Sequence, residues 1–286
     1  MKRGTMKNPM HPILAAAVVT LMIGTMAACG SPSGSGASSS SCKPAHDFST
    51  ITKGTLTVAI PELPPFTSYK NNKATGIDPS IVSSIAKMEC LSVSYSQVAF
   101  AEAIPAVQSG RADIAIGDFY RTKERAQVVG MSDAMYADQL GIVSKTGASS
   151  LASLESKKVG TVDGYLWLDD TKKIWGDNLT IYSSNVEMRQ DLESGRIAAG
   201  FDSYATAVAY SKGKDYQSKV AQKDKRVDST INGVQAGIPY TKTNEDLGKA
   251  LNADIGTLRS KGTLAKIFSD LGMDTSATKI TSRPLI

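Results

Sequence analysis

One pattern occurs twice in this chain and restricts its fold more than any other feature. Gln108-Ser109-Gly110-Arg111 leads into an apolar run, and Asp118 follows. Glu193-Ser194-Gly195-Arg196 leads into a second apolar run, and Asp202 follows. In each copy a helix-forming stretch meets a Gly stop, a short buried strand comes next, and an Asp stands near the strand's end. Helix, turn and strand in this order build α/β proteins with parallel strands. Two copies point to two lobes of similar topology. In open α/β sheets ligands sit beyond the carboxyl ends of strands, the position of both Asp residues.

The rest of the body reads in the same way. A strand over 56–60 ends at Pro61. Asp78-Pro79-Ser80 opens a helix, with Asp78 as N-cap and Pro79 at the first helical position. Ile81, Val82, Ile85 and Met88 then share one helical face. A strand over 93–98, a helix over 100–109 and a strand over 112–117 follow. The pattern restarts with strands over 140–143 and 158–161, a helix over 186–192, a strand over 196–201 and a helix over 203–210. A returning strand covers 233–238. Residues 244–271 are helical, broken around Lys261-Gly262-Thr263.

Composition excludes several functions. With 41% hydrophobic residues the chain can build a core and is not disordered. Lys2, Arg3 and Lys7 supply three of its five net positive charges, so the body is near neutral and nucleic acid is a poor partner. The chain has two histidines, His11 in the leader and His46 at the edge of a flexible stretch. A body so poor in His is a weak candidate for a Ser-His-Asp hydrolase, a Cys-His protease or a His-ligated zinc enzyme.

Residues 1–28 combine a basic start, a short apolar run over 13–23 and small residues before Cys29. A run of that length is too short for a bilayer span and describes an export signal. Thr25-Met26-Ala27-Ala28-Cys29 resembles a bacterial lipobox, which implies that Cys29 is acylated and becomes the mature N-terminus. An ordinary signal with a free Cys29 is the alternative. Residues 30–41 are all Gly, Ser or Pro except Ala37. They form a coil with a reach of roughly 20 Å, a tether between membrane and body. Cys42 and Cys90 remain, and export permits a disulfide between them; two separate thiols are the other outcome.

Two charged residues stand out as ligand groups. Thr122 suits an N-cap, which puts Arg125 in the first turn of a helix. A cation there opposes the helix dipole, so its position makes sense if it receives an anion. Asp202 reads both as the N-cap of the following helix and as a carboxylate facing an ammonium group. Tyr120 and Tyr165 follow strand ends, where a cleft would lie, and Phe100, Phe119, Trp167 and Tyr204 are close in the pattern. Lys223-Asp224-Lys225-Arg226 reads as a solvated loop.

These motifs resemble the extracellular solute-binding proteins of family 3, which serve ABC importers of polar amino acids. The resemblance rests on Lys53 to Val58, Pro64-Pro65-Phe66, Gly76-Ile77-Asp78, the run from Phe100 to Arg125, Ser132-Asp133, Ser194-Gly195-Arg196 to Asp202-Ser203, and Leu258 to Leu271. It implies an α/β, two-lobe type 2 periplasmic-binding-protein fold, each lobe a mixed, mostly parallel sheet flanked by helices, joined by a two-strand hinge. Lobe 1 would hold 47–138 and 236–286, lobe 2 would hold 139–235, and 29–46 would be the lipidated Cys and tether. By the same resemblance Arg125 clamps an α-carboxylate, Asp202 an α-ammonium, and Phe100 packs on the ligand side chain.

This chain departs from the family pattern where hydroxyl donors usually complete the clamp. It has Asp118-Phe119-Tyr120 and Gly164-Tyr165-Leu166, and Leu63 where an aromatic often stacks. Extra acid from Asp118 and Glu62, with Tyr120 and Tyr165, suits a cationic ligand. The expected protein is a monomeric, lipid-anchored, extracytoplasmic binding protein without catalysis, cofactor or metal. Its partners are an amino-acid-like solute and a membrane permease. An extracellular sensor and a dehydratase-like enzyme on the same fold are the alternatives.

Overall fold

A computed structural model describes residues 42–286. The leader, Cys29 and the Gly/Ser/Pro tether lie outside the described residues. Strand β1 (Thr55–Ile60) is an inner strand of the first sheet, and its alternation buries Leu56 and Val58 on one side. A small hairpin, β2 (Ser68–Lys70) and β3 (Lys73–Thr75), precedes helix α1 (Ile77–Met88). Ile77, Ile81, Val82 and Ile85 give α1 the buried face expected of the helical period. Strand β4 (Ser92–Gln97), helix α2 (Phe100–Gln108) and strand β5 (Ile114–Ala115) complete the first repeat unit.

Helix α3 (Lys123–Val128) and strands β6 (Gly130–Met131) and β7 (Tyr136–Asp138) lead out of this lobe. The second lobe holds β8 (Leu140–Ser144), β9 (Val159–Val162), α4 (Leu168–Trp175), β10 (Leu179–Tyr182), α5 (Asn185–Glu193), β11 (Ala199–Ser203), α6 (Tyr204–Ser211) and β12 (Gln217–Val220). The chain returns through β13 (Val234–Ala236) and β14 (Pro239–Tyr240) and ends in α7 (Glu245–Ser260) and α8 (Thr263–Asp270).

The strand orders are β4-β1-β5-β14-β6 and β10-β9-β11-β8-β12. Each sheet mixes parallel pairs, such as β1 with β4 and β10 with β9, with antiparallel ones. Between them β7 and β13 form a two-stranded antiparallel ladder, with Ala137 opposite Gln235. This ladder carries the chain out to the second lobe and back, as a hinge does.

Local corrections to the sequence reading have physical causes. Asp78 is not an N-cap: Gly76 holds that position, and the Asp78 side chain turns inward. The strand expected over 112–117 keeps only Ile114–Ala115, because Gly117 (φ 138°) and Asp118 (φ 56°) turn the backbone away. The strand expected over 196–201 begins later, at Ala199, because the Arg196 and Ile197 N–H groups both bond the Asp191 carbonyl in a helix-ending turn. Asp202 is a strand residue and not the N-cap of the following helix: that cap is Ser203, whose side chain accepts from the Thr206 N–H. A disulfide joins Cys42 to Cys90, and His46, placed by sequence beside a flexible stretch, packs against the end of α1.

Candidate functional site

Arg125 reaches the gap between the lobes from the first turn of α3. Thr122 caps that helix, its Oγ1 accepting from the Arg125 N–H at 3.1 Å, a contact worth about 1 kcal/mol to the helix. The guanidinium then spans the gap. It donates to the Tyr120 carbonyl at 2.9 Å in the first lobe and to the Gly164 carbonyl at 3.2 Å in the second. Its carbon lies 5.3 Å from the centre of the Phe119 ring, in cation–π range. Burial pulls its pKa down to about 10, so it remains a cation at neutral pH.

Aromatic rings fill the space around it. Phe100 stacks on Phe119 at 4.6 Å and meets Tyr165 of the second lobe edge-on at 4.8 Å. Tyr165 meets Trp167 at 5.2 Å, and Trp167 approaches Tyr120 of the first lobe at 6.2 Å. The Trp167 indole N–H donates to Thr161 Oγ1 at 2.8 Å, which fixes the ring. Between these walls lies a cavity of only about 10 Å³, bounded by Leu63, Phe100, Asp118, Tyr120, Arg125 and Tyr165, with Leu166, Trp167 and Ser203. That is about the space of one water. Leu63, Phe100 and Tyr165 also wall a second interlobe cavity of about 430 Å³, lined further by Glu62, Gln97, Glu102, Ser183 and Asn185.

The polar lining of the small cavity is acidic and incompletely satisfied. Asp118 is buried at φ 56°, a left-handed conformation that Asp tolerates better than most residues. Its carboxyl faces that of Asp138 on the hinge strand β7, closely enough to share a hydrogen bond when one is protonated. Burial and then the Asp138 charge push Asp118 well above the usual carboxylate range; burial also raises Asp138. The Tyr120 hydroxyl lies beside Asp118, yet Asp118 Oδ1, Tyr120 OH and Asp138 Oδ2 are all buried without a well-formed hydrogen bond. Buried polar atoms of that kind are costly unless a partner arrives.

Asp78 holds this loop in place. Its Oδ2 accepts from the Gly117 and Asp118 N–H groups at 2.9 and 3.1 Å, and its Oδ1 from the Tyr136 hydroxyl at 2.7 Å. Burial raises its pKa to about 6 despite these donors. One carboxylate thus ties α1, the Asp118 turn and the hinge strand together.

The structure brings Arg125, Phe100, Asp118, Tyr120, Tyr165 and Leu63 to one cavity. It does not bring Glu62 or Asp202 to that wall. Glu62 accepts from Ser68 Oγ and the Tyr69 N–H at 2.8 and 2.9 Å, pinning its own hairpin, and faces the larger cavity. Asp202 sits behind Tyr165, whose hydroxyl donates to Oδ1 at 3.1 Å. Its Oδ2 lies 3.6 Å from the Arg189 guanidinium of the same lobe. Burial raises Asp202 to about 6, against the opposing pull of Arg189. Sequence reasoning missed Asp78, Asp138 and Trp167 as site residues. Asp138 had one available signal, a lone acid between the apolar Tyr136 and Leu140.

Residues 56–271 match the family described as bacterial extracellular solute-binding proteins, family 3. The histidine-binding periplasmic protein of Salmonella typhimurium is 27% identical over 220 residues, covering 71% of this chain and 83% of that protein. The lysine/arginine/ornithine-binding periplasmic protein of Escherichia coli is 26% identical, covering 71% of this chain and 81% of its own. A solved structure of an ancestral arginine-binding protein bound to arginine is 30% identical, with a TM-score of 0.68, covering 77% of this chain and 98% of that one. With its two lobes, its hinge ladder and a family match over most of its length, the chain belongs to the bacterial extracellular solute-binding proteins, family 3.

Proposed function

We propose that this protein captures a small cationic amino acid or related amine between its lobes and delivers it to an ABC importer, held to the membrane through a lipidated Cys29. The observation that carries the reading is the acidic, unpaired lining beside a single guanidinium. Asp118 Oδ1 and Tyr120 OH in the lining, and Asp138 Oδ2 beside Asp118, lack a well-formed hydrogen bond, and Arg125 spends its N–H groups on two backbone carbonyls. The relatives whose names record a ligand, histidine or lysine, arginine and ornithine, point the same way.

The binding cycle follows from these contacts. The cavity at Arg125 and Asp118, about 10 Å³, holds no amino acid, so a ligand reaches these two residues only when the lobes part at β7 and β13. Parting breaks the Arg125–Gly164 contact and frees the guanidinium for a ligand carboxylate, a bidentate partner better than one carbonyl. The ligand's cationic group meets the Asp118 and Asp138 carboxyls and the Tyr120 hydroxyl. Phe100 and Tyr165 pack on its apolar carbons. No general acid or nucleophile is required of any residue, and the ligand leaves unchanged.

The test is a thermal-shift panel of amino acids and amines, followed by uptake in cells. Arginine, lysine, histidine or ornithine should raise the melting temperature by several degrees. Deleting the gene should abolish uptake of the same solute, and Cys29→Ser should release the protein from membranes. Stabilisation only by acidic or neutral amino acids would remove the cationic reading, and normal uptake on deletion would remove the transport role.

A further inference from the structure

His46, Glu89 and Asp254 come together on the side of the first lobe where the chain enters from residue 42, at a cluster the interlobe site does not use. His46 follows the disulfide-bonded Cys42, Glu89 precedes its partner Cys90, and Asp254 lies within α7. His46 Nδ1 lies 2.6 Å from Glu89 Oε1, and the His46 backbone N–H donates to Glu89 Oε2 at 3.0 Å. Asp254 Oδ1 is 3.9 Å from His46 Nδ1. One donor atom from each residue lies within 4.8 Å of the other two.

The charges in this cluster do not balance. The Glu89 and Asp254 side chains are 0% and 2% exposed, and the imidazole is 35% exposed. Two buried carboxylates face one imidazole that carries at most one positive charge. Glu89 is also the C-cap of α1, where the helix dipole is negative and an acid is disfavoured. Asp254 Oδ2 is buried with no hydrogen-bond partner. Asp254 also faces the Glu89 carboxyl closely enough to share a hydrogen bond when one of the two is protonated, and burial with that neighbour raises the Asp254 carboxyl.

We propose that His46, Glu89 and Asp254 form a structural site for a divalent first-row metal ion, Zn²⁺ foremost, which ties the N-terminal segment to the ends of α1 and α7. One imidazole nitrogen and two carboxylate oxygens suit Zn²⁺; Ca²⁺ and Mg²⁺ prefer all-oxygen sets. Zinc–ligand bonds of about 2.0–2.2 Å in a tetrahedron place donors roughly 3.3 Å apart. The present separations of 2.6 and 3.9 Å reach that with small side-chain adjustments. The exposed side of His46 leaves room for water as the fourth ligand. The scarcity of His argued against a zinc enzyme; it does not bear on a structural clamp that needs one imidazole. Such a clamp would act beside the Cys42–Cys90 disulfide and secure the segment next to the tether.

The test uses tag-free, chelator-stripped full-length protein with Zn²⁺ added as its chloride. The expected result is one Zn²⁺ per chain with sub-micromolar affinity and a melting temperature raised by several degrees. His46→Ala and Asp254→Asn should each weaken Zn²⁺ binding at least tenfold. Asp254→Asn should melt no lower than the wild type without metal, since it removes a buried charge, which shows that the variant folds. Amino-acid binding should be the same with and without Zn²⁺, so this result stands apart from the fate of the interlobe site. Millimolar or absent Zn²⁺ binding overturns the proposal, as does equal binding by both variants. Stabilisation by acid alone, with no metal taken up, also overturns it and assigns the missing positive charge to a proton.

Discussion

The Arg125 guanidinium, on the first lobe, donates to the Gly164 carbonyl, on the second, at 3.2 Å. One hydrogen bond thus links two lobes that otherwise meet here through aromatic rings. It occupies the group that our reading assigns to the ligand carboxylate, so closure without ligand and closure around ligand compete for the same N–H groups. Arg125→Ala should lower ligand affinity by about 3 kcal/mol, roughly a hundredfold, because the carboxylate would be buried unpaired. Arg125→Lys should recover only part of this, since an ammonium lacks the planar fork. Calorimetry on the two variants checks the order; equal affinity for all three proteins would remove Arg125 from the site.

Gly164 is the second half of that contact. Its φ of 79° disfavours any side chain, and a Cβ would lie 3.1 Å from Ala101 Cα on α2 of the opposite lobe. Gly164→Ala should therefore hold the lobes apart as well as strain the turn, with a stability loss of about 1–2 kcal/mol. Small-angle scattering should show a ligand-free radius of gyration above the wild type's. An unchanged radius would mean that the lobes do not rest on this contact.

Asp118 and Asp138 face each other in the hinge region with unpaired oxygens. Asp118→Asn keeps a residue that accepts φ 56° and removes one of the two facing carboxyls. The ligand-free variant should melt at or above the wild-type temperature, while affinity for a cationic ligand falls at least tenfold. Melting curves with and without ligand measure both effects, and a loss of both together would mark Asp118 as merely structural.

Burial raises Asp78 and Asp202 to about 6. Unfolded carboxylates titrate near 3.9, so between about pH 4 and 6 the folded chain binds protons that the unfolded chain does not. Stability of the ligand-free protein should thus rise as pH falls from 7 to 5, by about 1 kcal/mol per group over that range. His46, raised chiefly by its hydrogen bond to Glu89, acts in the same direction. The depressed carboxyls of Asp191 and Asp224 oppose this only below about pH 4. The extra stability conferred by a cationic ligand should shrink over the same range, because protons and ligand compete for the acidic lining. Melting temperatures at pH 7 and 5, with and without ligand, test both signs; a ligand increment that does not change would exclude Asp118 and Asp138, whose carboxyls burial also raises, from binding.

The lobes and the lining were legible in the sequence to different depths. The repeated helix-Gly-strand pattern located α2 with β5 and α5 with β11, because period and Gly stops are local signals. Thr122 and Arg125 were readable for the same reason: a cap and its first turn need only neighbouring residues. Asp78 was misread because an N-cap Asp and an Asp turned inward have the same local sequence; the Gly117 and Tyr136 partners that decide between them lie far along the chain. Asp202 was located correctly along the chain, but its place behind Tyr165 depends on the Arg189 pairing within its own lobe. Asp138 and Trp167 gain their meaning only when the hinge and the second lobe meet the first.

The most direct measurement is titration calorimetry of L-arginine and of L-glutamate into the purified protein at pH 7.5, repeated with Asp118→Asn. The account predicts tight binding of arginine at one site per chain, no measurable binding of glutamate, and at least a tenfold loss for arginine in the variant. Binding of glutamate in preference to arginine, or an arginine affinity indifferent to Asp118, would contradict it.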